Sequence, residues 1–275
     1  QEEEPSTRAE QQGDPASDPA CEQELDMEEM AVDEGVKLVM AGLRCDDDSD
    51  LIGLDVWQGA TKKLCEYCMK NSNLFRGAAV LEIGAGVGIL GMVLSKLGAR
   101  RVYISDYDEV VLEVIRANIQ LNGLDGKCVE CKLDWSNDEH FDAFGRGSDV
   151  SIIVGSDLLY SSHMAKLLHS AVRRLFEVLP HAVFIMSHKK RYSVTWNEAR
   201  EPMVETSDSV LESFKSMFVP VSPVDLHEER KEGAGEALMC IIEESEEKEG
   251  VDVFAFGRSR GSLSKAVNET KLSKK

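Results

Sequence analysis

A glycine-rich turn between residues 84 and 88 is the part of the sequence best suited to hold a small ligand. The apolar run Val80-Leu81-Glu82-Ile83 leads directly into Gly84-Ala85-Gly86-Val87-Gly88. A strand that ends in closely spaced glycines and then opens a helix lets a ligand approach the backbone. A dinucleotide-binding turn would have a glycine at the sixth position from Gly84, where the sequence has Ile89, and the register that starts at Gly86 begins two residues late. The glycines therefore indicate a nucleotide-like ligand without deciding its class.

Two acidic residues narrow the choice of ligand. Glu82 lies inside the strand before the turn, where a carboxylate suits an ammonium group better than a pyrophosphate. Asp106 follows Gly84 by 22 residues and ends the next strand-like run, where it can accept hydrogen bonds from ribose hydroxyls. S-adenosylmethionine combines a ribose with an ammonium group, and no phosphate-binding cation lies nearby. Glu82 and Asp106 together therefore predict S-adenosylmethionine as the cofactor. The alternative is that both are ordinary acidic residues of strand ends with no ligand.

The surrounding pattern shows which elements would position these residues. Short apolar runs at 78–83, 102–105, 127–133, 150–154 and 182–187 alternate with helical runs at 89–97, 111–119, 165–179 and 210–217. This alternation predicts βαβ units and a doubly wound α/β sheet that is mostly parallel. The last third has strand-like runs at 218–224, 237–242 and 251–257 with no long helix between them, which predicts an antiparallel C-terminal edge.

Charge and composition set the limits of the folded part. The chain has 31 Lys and Arg against 50 Asp and Glu, and this balance argues against a nucleic-acid clamp, which needs clustered cations. Residues 1–34 are acidic, polar and nearly free of aromatics, so we expect a disordered leader. We expect a domain at 35–258, with an edge strand at 36–40, and a basic, disordered tail at 259–275. No run approaches the roughly 18 apolar residues of a membrane span, and no signal or transit peptide is expected.

The seven cysteines favour reduced thiols and a location in the cytosol, the nucleus or both. Two Cys-x-x-Cys pairs occur, Cys65/Cys68 and Cys128/Cys131. The second pair lies in a strand-like run, where residues three apart point to opposite faces and cannot share a metal. The first pair lies in a helix-like run and is expected to pack in the core. We therefore expect no metal site.

Five ordered motifs between about Gly53 and Met186 resemble the seven-β-strand methyltransferases, and among them the family-16 group of protein-lysine methyltransferases. The motifs are Val56-Trp57-Gln58-Gly59-Ala60, the Glu-x-Gly-x-Gly-x-Gly of 82–88, Ser105-Asp106, Leu133-Asp134-Trp135 and Ser156-Asp157-Leu158-Leu159-Tyr160. The last matches the Asp-x-x-Tyr element that separates this group from other methyltransferases. The resemblance implies a Rossmann-like, seven-stranded methyltransferase sheet for the domain at 35–258.

The resemblance also implies a role in cofactor binding for several residues. The three glycines of the turn, Gly84, Gly86 and Gly88, would let the methionine part of S-adenosylmethionine lie against the backbone. Glu82 would lie near its amino group and Asp106 would hold the ribose. The remaining residues implied by the resemblance are Asp134 for the adenine amine, Trp135 packed nearby, and Trp57 closing the pocket.

Asp157 and Tyr160 are the residues that the resemblance implies for catalysis. They follow a central strand at its carboxyl end, where open α/β sheets place ligands. A carboxylate there could hold and orient a lysine ammonium, and Tyr160 could form a wall through cation–π contact. We therefore expect methyl transfer to a lysine of a protein with a basic segment, by a monomer.

The sequence is also compatible with other functions. Asp157 favours a cationic acceptor but does not separate lysine from arginine, and a small-molecule acceptor is a further alternative. A methyltransferase fold that only binds a partner would be expected to have a broken cofactor site. The basic run His188-Lys189-Lys190-Arg191, after the fifth strand, is interpreted as a solvated loop in preference to a substrate-facing one.

Overall fold

Strands and helices alternate through most of the chain that the computed structural model describes, namely residues 25–33, 36–43, 59–145, 147–191, 194–196, 200, 202–204, 208–223, 225–227, 237–245 and 250–272. The strands are β1 (Leu25–Asp33), β2 (Val36–Leu43), β3 (Ala79–Ile83), β4 (Arg101–Asp106), β5 (Cys128–Lys132), β6 (Val150–Ser156), β7 (Val183–Lys189), β8 (Val194–Trp196), β9 (Pro202–Val204), β10 (Val219–Pro220), β11 (Leu238–Glu243) and β12 (Val251–Gly257). The helices are α1 (Gly59–Lys70), α2 (Ser72–Phe75), α3 (Ile89–Lys96), α4 (Glu109–Leu121), α5 (Asp138–Gly145), α6 (Ser162–Val178), α7 (Ser209–Lys215) and α8 (Arg260–Leu272).

The central sheet has the strand order β10-β11-β12-β7-β6-β3-β4-β5. The five strands from β7 to β5 pair in parallel, whereas β12 is antiparallel to both β7 and β11. This confirms the doubly wound α/β sheet with an antiparallel C-terminal edge. Seven strands make up its body, and β10, parallel to β11, covers only two residues of the longer run predicted at 218–224.

Helices cover both faces of the parallel strands. All five residues of β3 are buried, as expected for a central strand in a parallel sheet. Side chains such as Val80 and Val154 pack in a core layer with α3 and α4, and their neighbours Leu81 and Ile153 pack in a second layer with α6. The sequence predictions of α3, α4, α6 and α7 are confirmed.

The N-terminal hairpin differs from the expected leader. β1 pairs in antiparallel fashion with β2, so Leu25–Asp33 forms a strand within the segment predicted to be disordered. Residues 1–24 lie outside the described residues. β2 belongs to this separate two-stranded sheet and lies against α4, where Asn118 and Asn122 hydrogen-bond the backbone of Ala41 and Val39.

The C-terminal segment also differs from expectation. Arg260–Leu272 forms α8, and Leu263, Ala266 and Val267 are buried in the core. The predicted disorder of the tail is therefore wrong for this stretch, because its basic residues alternate with apolar ones that fall on one helix face. Residues 273–275 lie outside the described part. None of the described helices is long and apolar enough to cross a membrane.

Candidate functional site

The glycine turn between β3 and α3 is fastened to β4. The Ala85 N–H donates to the Ser105 carbonyl (3.0 Å), and the Ser105 hydroxyl donates to the Glu82 carbonyl (2.6 Å). Gly84, Gly86 and Gly88 all have positive φ, the left-handed region that other residues seldom adopt. Gly84 and Ala85 are partly exposed, whereas residues 86–88 are buried. The side of the turn open to a ligand is therefore Gly84-Ala85.

The glycines at the two ends of the turn have different surroundings. A Cβ on Gly84 would lie 2.8 Å from Leu158 Cδ2 and 3.4 Å from Trp135 Cζ2. A Cβ on Gly88 would lie 3.2 Å from Ile104 Cγ2, within the core. Gly84 thus lies next to the side chains that follow β5 and β6. At position 88, close packing against β4 explains why the residue is a glycine. Contact of Gly86 and Gly88 with a cofactor stays a prediction.

Glu82 lies behind the turn. Glu82 is only 2% exposed, and its Oε2 accepts a hydrogen bond from the Gly91 N–H of α3 at 2.8 Å. Burial raises the pKa of this carboxyl to about 8, although the Gly91 hydrogen bond acts in the opposite direction. In this arrangement Glu82 ties the turn to α3, and its contact with an amino group stays a prediction.

Asp106 ends β4 beside the turn. Its carboxylate accepts the N–H groups of Gly86 (3.1 Å), Tyr107 (2.8 Å) and Asp108 (3.3 Å). Burial raises its pKa, and these three hydrogen bonds oppose the rise. A carboxylate offers about four lone-pair positions, so capacity remains for a ribose hydroxyl.

Asp134 and Trp135 follow β5 at the same edge of the sheet. Asp134 Oδ1 accepts hydrogen bonds from the Ser136 N–H and hydroxyl, which lower the pKa of this carboxyl. Trp135 is partly buried, and its ring lies beside Gly84.

Trp57 lies outside the described residues, but α1, which follows it, begins at the edge of the site. The Thr61 and Ser156 hydroxyls share a hydrogen bond of 2.9 Å, and the Ser187 hydroxyl donates to the Ala60 carbonyl.

Asp157 lies at the carboxyl end of β6 in a strained conformation, with φ of +57°. Its N–H donates to the Ser187 carbonyl of the neighbouring β7 at 2.9 Å. The side chain is only 8% exposed, and both of its oxygens accept from the Arg191 guanidinium, at 2.8 and 2.5 Å. The nearest ring nitrogen of His188, Nδ1, is 3.9 Å away.

His188 and Arg191 are both tied to Asp208, the N-cap residue of α7. Asp208 Oδ2 lies 2.7 Å from His188 Nε2 and accepts the Arg191 N–H at 2.9 Å, while Oδ1 accepts the Leu211 N–H. Burial alone would raise the pKa of Asp208, but the hydrogen bonds outweigh it, led by that of His188, and the pKa is lowered. The prediction of a simple solvated loop at 188–191 is therefore wrong for His188, which is fully buried, and for Arg191.

Two tyrosines stand at the opening of the site. Tyr160 is 45% exposed and Tyr107 is 65% exposed. Partial burial raises the pKa of Tyr160, and the nearby Tyr107 and Asp106 raise it further, so these groups are within electrostatic reach of each other. Tyr107 was not among the residues predicted from the sequence. Its signal was an aromatic residue directly after the acid that ends β4.

Residues predicted from four separate segments, the ends of β3, β4, β5 and β6, converge at one edge of the sheet. Parallel pairing brings the carboxyl ends of β3, β4, β5 and β6 together, and with them Asp106, Asp134 and Asp157. A parallel core with one antiparallel strand beside it, and a glycine turn flanked by a strand-end acid, defines a methyltransferase-type α/β protein. A family model described as lysine methyltransferase matches residues 42–202, and the chain belongs to that family.

Individual relatives are named as protein methyltransferases, of lysine or of histidine. The chain is 34% identical over 137 residues to EEF1A lysine methyltransferase 3 of Mus musculus, covering 50% of this chain and 55% of that protein. It is 28% identical over 157 residues to protein-lysine N-methyltransferase EFM3 of Chaetomium thermophilum, covering 54% and 46%. A shorter match of 86 residues, 42% identical, joins it to the histidine protein methyltransferase 1 homolog of Rattus norvegicus, covering 27% and 24%. The chain spans about half the length of the curated relatives it matches first.

A solved structure shares the fold at low sequence identity. The 16S rRNA N2 G1207 methyltransferase RsmC of T. thermophilus, in complex with AdoMet and guanosine, gives a TM-score of 0.50 at 15% identity. The match covers 86% of this chain and 51% of that one. At this identity the likeness concerns the fold alone.

Proposed function

We propose that this protein transfers a methyl group from S-adenosylmethionine to a lysine side chain of a protein substrate. The observation that carries the proposal is the family match at residues 42–202, which contains Asp106, Asp134, Asp157 and Tyr160. The lysine methyltransferases EEF1A lysine methyltransferase 3 and EFM3 support it by similarity over the same half of the chain.

The residues at the glycine turn fit a bound S-adenosylmethionine. The partly exposed Gly84-Ala85 backbone would take its methionine part, with Trp135 beside it. Asp106 would bind the ribose with its remaining lone pairs, and Asp134 the adenine amine. When bound, the cofactor supplies a methyl group on a sulfonium that carries its own leaving group. The chain then has to position the acceptor nitrogen, because in-line transfer depends mainly on orientation.

Asp157 and Tyr160 would receive the acceptor. A lysine has a pKa near 10.4, so only about one in a thousand is neutral at pH 7. A carboxylate with an 8% exposed side chain can orient the ammonium, although its charge raises the pKa of the amine. Desolvation of the acceptor at the carboxyl edge acts in the opposite direction and favours the neutral nucleophile. Tyr160 would contribute one wall of the acceptor site.

The character of the substrate follows from the charges at this edge. Asp106, Asp134 and Asp157, with Asp108 and Glu109 beside them, favour a basic segment of a partner protein. We propose no direct nucleic-acid contact, action as a monomer, and a location in the cytoplasm or nucleus. The cysteines among the described residues, which are all free thiols, suit those compartments.

Labelled cofactor tests the transfer reaction directly. The purified protein, incubated with methyl-labelled S-adenosylmethionine and a cell extract, is expected to label at least one protein band, and acid hydrolysis of that band should give methyl-lysine. Asp157→Asn is the informative variant because asparagine tolerates the left-handed φ of this position and keeps the side-chain size, while it removes the charge and one acceptor oxygen. It should abolish labelling and retain cofactor binding in calorimetry.

Matched variants separate the possible failures. Asp106→Asn should weaken cofactor binding, whereas Asp125→Asn, at an exposed turn before β5, should leave binding and labelling unchanged. Absence of cofactor binding by the wild-type protein would contradict the enzymatic proposal. Methyl-histidine in the hydrolysate would instead favour the acceptor named for the rat relative.

A further inference from the structure

We propose that Arg191 occupies the acceptor site in the substrate-free protein and that the cationic side chain of the substrate displaces it. Arg191 is thus a specificity-determining residue. This inference rests on the proposed role of Asp157 as the carboxylate that receives the acceptor.

The contact between Arg191 and Asp157 blocks the surface that an acceptor ammonium needs. The guanidinium engages both carboxylate oxygens, at 2.8 and 2.5 Å, in the bidentate geometry that makes arginine–carboxylate pairs strong. The Asp157 side chain is 8% exposed, so little of the carboxylate remains open. With Arg191 in place the charge of Asp157 is also compensated, so this carboxylate attracts a cation less strongly than it would without the arginine. An incoming ammonium must therefore replace the guanidinium.

Arg191 can leave without dismantling its surroundings. Its side chain is 42% exposed, and apart from Asp157 its guanidinium contacts only the Lys189 carbonyl, at 3.5 Å, among the described residues. Its backbone remains held by Asp208 through the N–H bond of 2.9 Å. Asp157 keeps its place through its own N–H bond to Ser187. The guanidinium can swing away while the loop and the carboxylate stay fixed.

The other polar groups around Asp157 do not take over this role. His188 Nδ1 lies 3.9 Å from Asp157 and has no hydrogen-bond partner in the described part of the chain, while its Nε2 is engaged by Asp208. The buried His188 ring cannot follow a substrate to the surface. Arg191 is the exposed cation of the group, and it selects for acceptors that carry a positive charge, because a neutral acceptor has no means of replacing it.

Binding of a lysine peptide measures the competition without any methyl transfer. The probe is a 13-residue peptide of alternating lysine and glycine, titrated into the full chain by calorimetry. Arg191→Met keeps the aliphatic stem and removes the guanidinium, so it should bind the probe about tenfold more tightly than wild type, equal to about 1.4 kcal/mol. Lys189→Met removes the same charge from an exposed neighbour and corrects for general electrostatics. It should change the affinity by no more than about twofold.

A double-variant comparison assigns the effect to Asp157. In an Asp157→Asn background, Arg191→Met should give no gain beyond that of Lys189→Met. If Arg191→Met binds the probe no better than Lys189→Met, or less well than wild type, Arg191 only supports Asp157 and the inference is overturned. Titration of the wild-type protein with S-adenosylmethionine tests the proposed function separately. A protein that does not bind this cofactor would contradict the proposed function, while the peptide affinities of the variants would still decide the role of Arg191.

Discussion

Four carboxyl groups at one edge of the sheet have four different environments. Burial raises the pKa of Glu82 to about 8 and also raises that of Asp106. Hydrogen bonds from Ser136 lower the pKa of Asp134. Asp157 is held by a cation. Glu82 therefore acts on the turn from within the core, while the other three lie at or near the surface that a ligand would meet.

The buried Glu82 should make stability depend on pH. A glutamate in the unfolded chain has a pKa near 4.3, against about 8 in the fold. Its stabilising effect is fully present below the unfolded pKa, and it is lost as the pH rises to about 8, because the unfolded chain releases a proton that the folded protein keeps. Glu82→Gln retains an oxygen for the Gly91 N–H and lacks this titration. Relative to wild type, its free energy of unfolding should rise by about 3 to 4 kcal/mol between pH 5 and pH 8.

Urea unfolding at intervals of pH measures this difference. Glu139→Gln, at an exposed position of α5, serves as the control and should follow the wild-type curve. Parallel curves for Glu82→Gln and wild type would show that Glu82 titrates normally in the fold.

Gly84 tests whether the open side of the turn is the ligand surface. Gly84→Ala places a methyl group 2.8 Å from Leu158 and 3.4 Å from Trp135 in a left-handed conformation. The matched control is Gly123→Ala, which has a similar φ of +63° but nothing within 4 Å of the added Cβ. Both should lose about 1 to 2 kcal/mol of stability from backbone strain. Only Gly84→Ala should lose a further 1 to 3 kcal/mol or so from overlap, together with about tenfold in S-adenosylmethionine affinity by calorimetry. Equal cofactor affinities for the two variants would place the ligand elsewhere.

The site was predictable from the sequence where its residues end strands. Asp106 and Asp157 follow apolar runs, and parallel strands bring such positions to one edge whatever the loops do. The partners of Asp157 were not predictable in this way. Arg191 lies 34 residues further along the chain, and its pairing depends on the register of β7 beside β6 and on the cap of α7. A basic run after a strand looks the same whether it is solvated or paired.

At the scale of elements, α4 binds the N-terminal hairpin through asparagine side chains that hydrogen-bond the backbone of β2, as a neighbouring strand would. The Asn118 amide accepts the Ala41 N–H at 2.6 Å and donates to the Ala41 carbonyl at 3.1 Å, and one turn later Asn122 does the same for Val39. Asn118 also donates to the Val87 carbonyl at 3.0 Å, so the same side chain joins the hairpin to the glycine turn. Apolar periodicity predicts α4, but it does not indicate which polar side chains of the helix hydrogen-bond the backbone of another element.

Asn118→Ala should therefore loosen the hairpin and the turn together. It leaves buried backbone groups of Ala41 and Val87 without their partner, and we expect a loss of about 2 to 3 kcal/mol in the free energy of unfolding. Hydrogen exchange at the Ala41 amide should accelerate, because opening of β2 no longer requires breaking this bond. Gln120→Ala, on the exposed face of α4, is the control and should be neutral. Unchanged exchange at Ala41 would show that packing alone holds β2.

At the scale of the molecule, charge composition did not predict the boundaries of the folded domain correctly. The basic residues after 258 suggested a solvated tail, yet α8 lies against the sheet and the Tyr67 hydroxyl of α1 donates to the Ala266 carbonyl at 3.2 Å. The acidic segment before 34 likewise contributes β1. Overall charge averages over the exposed face of an element such as α8, whereas its folding depends on the few apolar side chains that it buries, Leu263, Ala266 and Val267.

The C-terminal helix should be as necessary to the fold as the strands it covers. Leu263 is fully buried at the first turn of α8, so Leu263→Ala should cost about 2 to 4 kcal/mol through lost apolar contact and a residual cavity. Lys265→Ala, on the exposed face of the same helix, keeps or slightly improves helix propensity and should shift the thermal midpoint little. Thermal and urea unfolding of the two variants decide the matter. A Leu263→Ala protein as stable as the Lys265→Ala protein would mean that α8 is a dispensable appendage, and that the domain ends at about residue 258 after all.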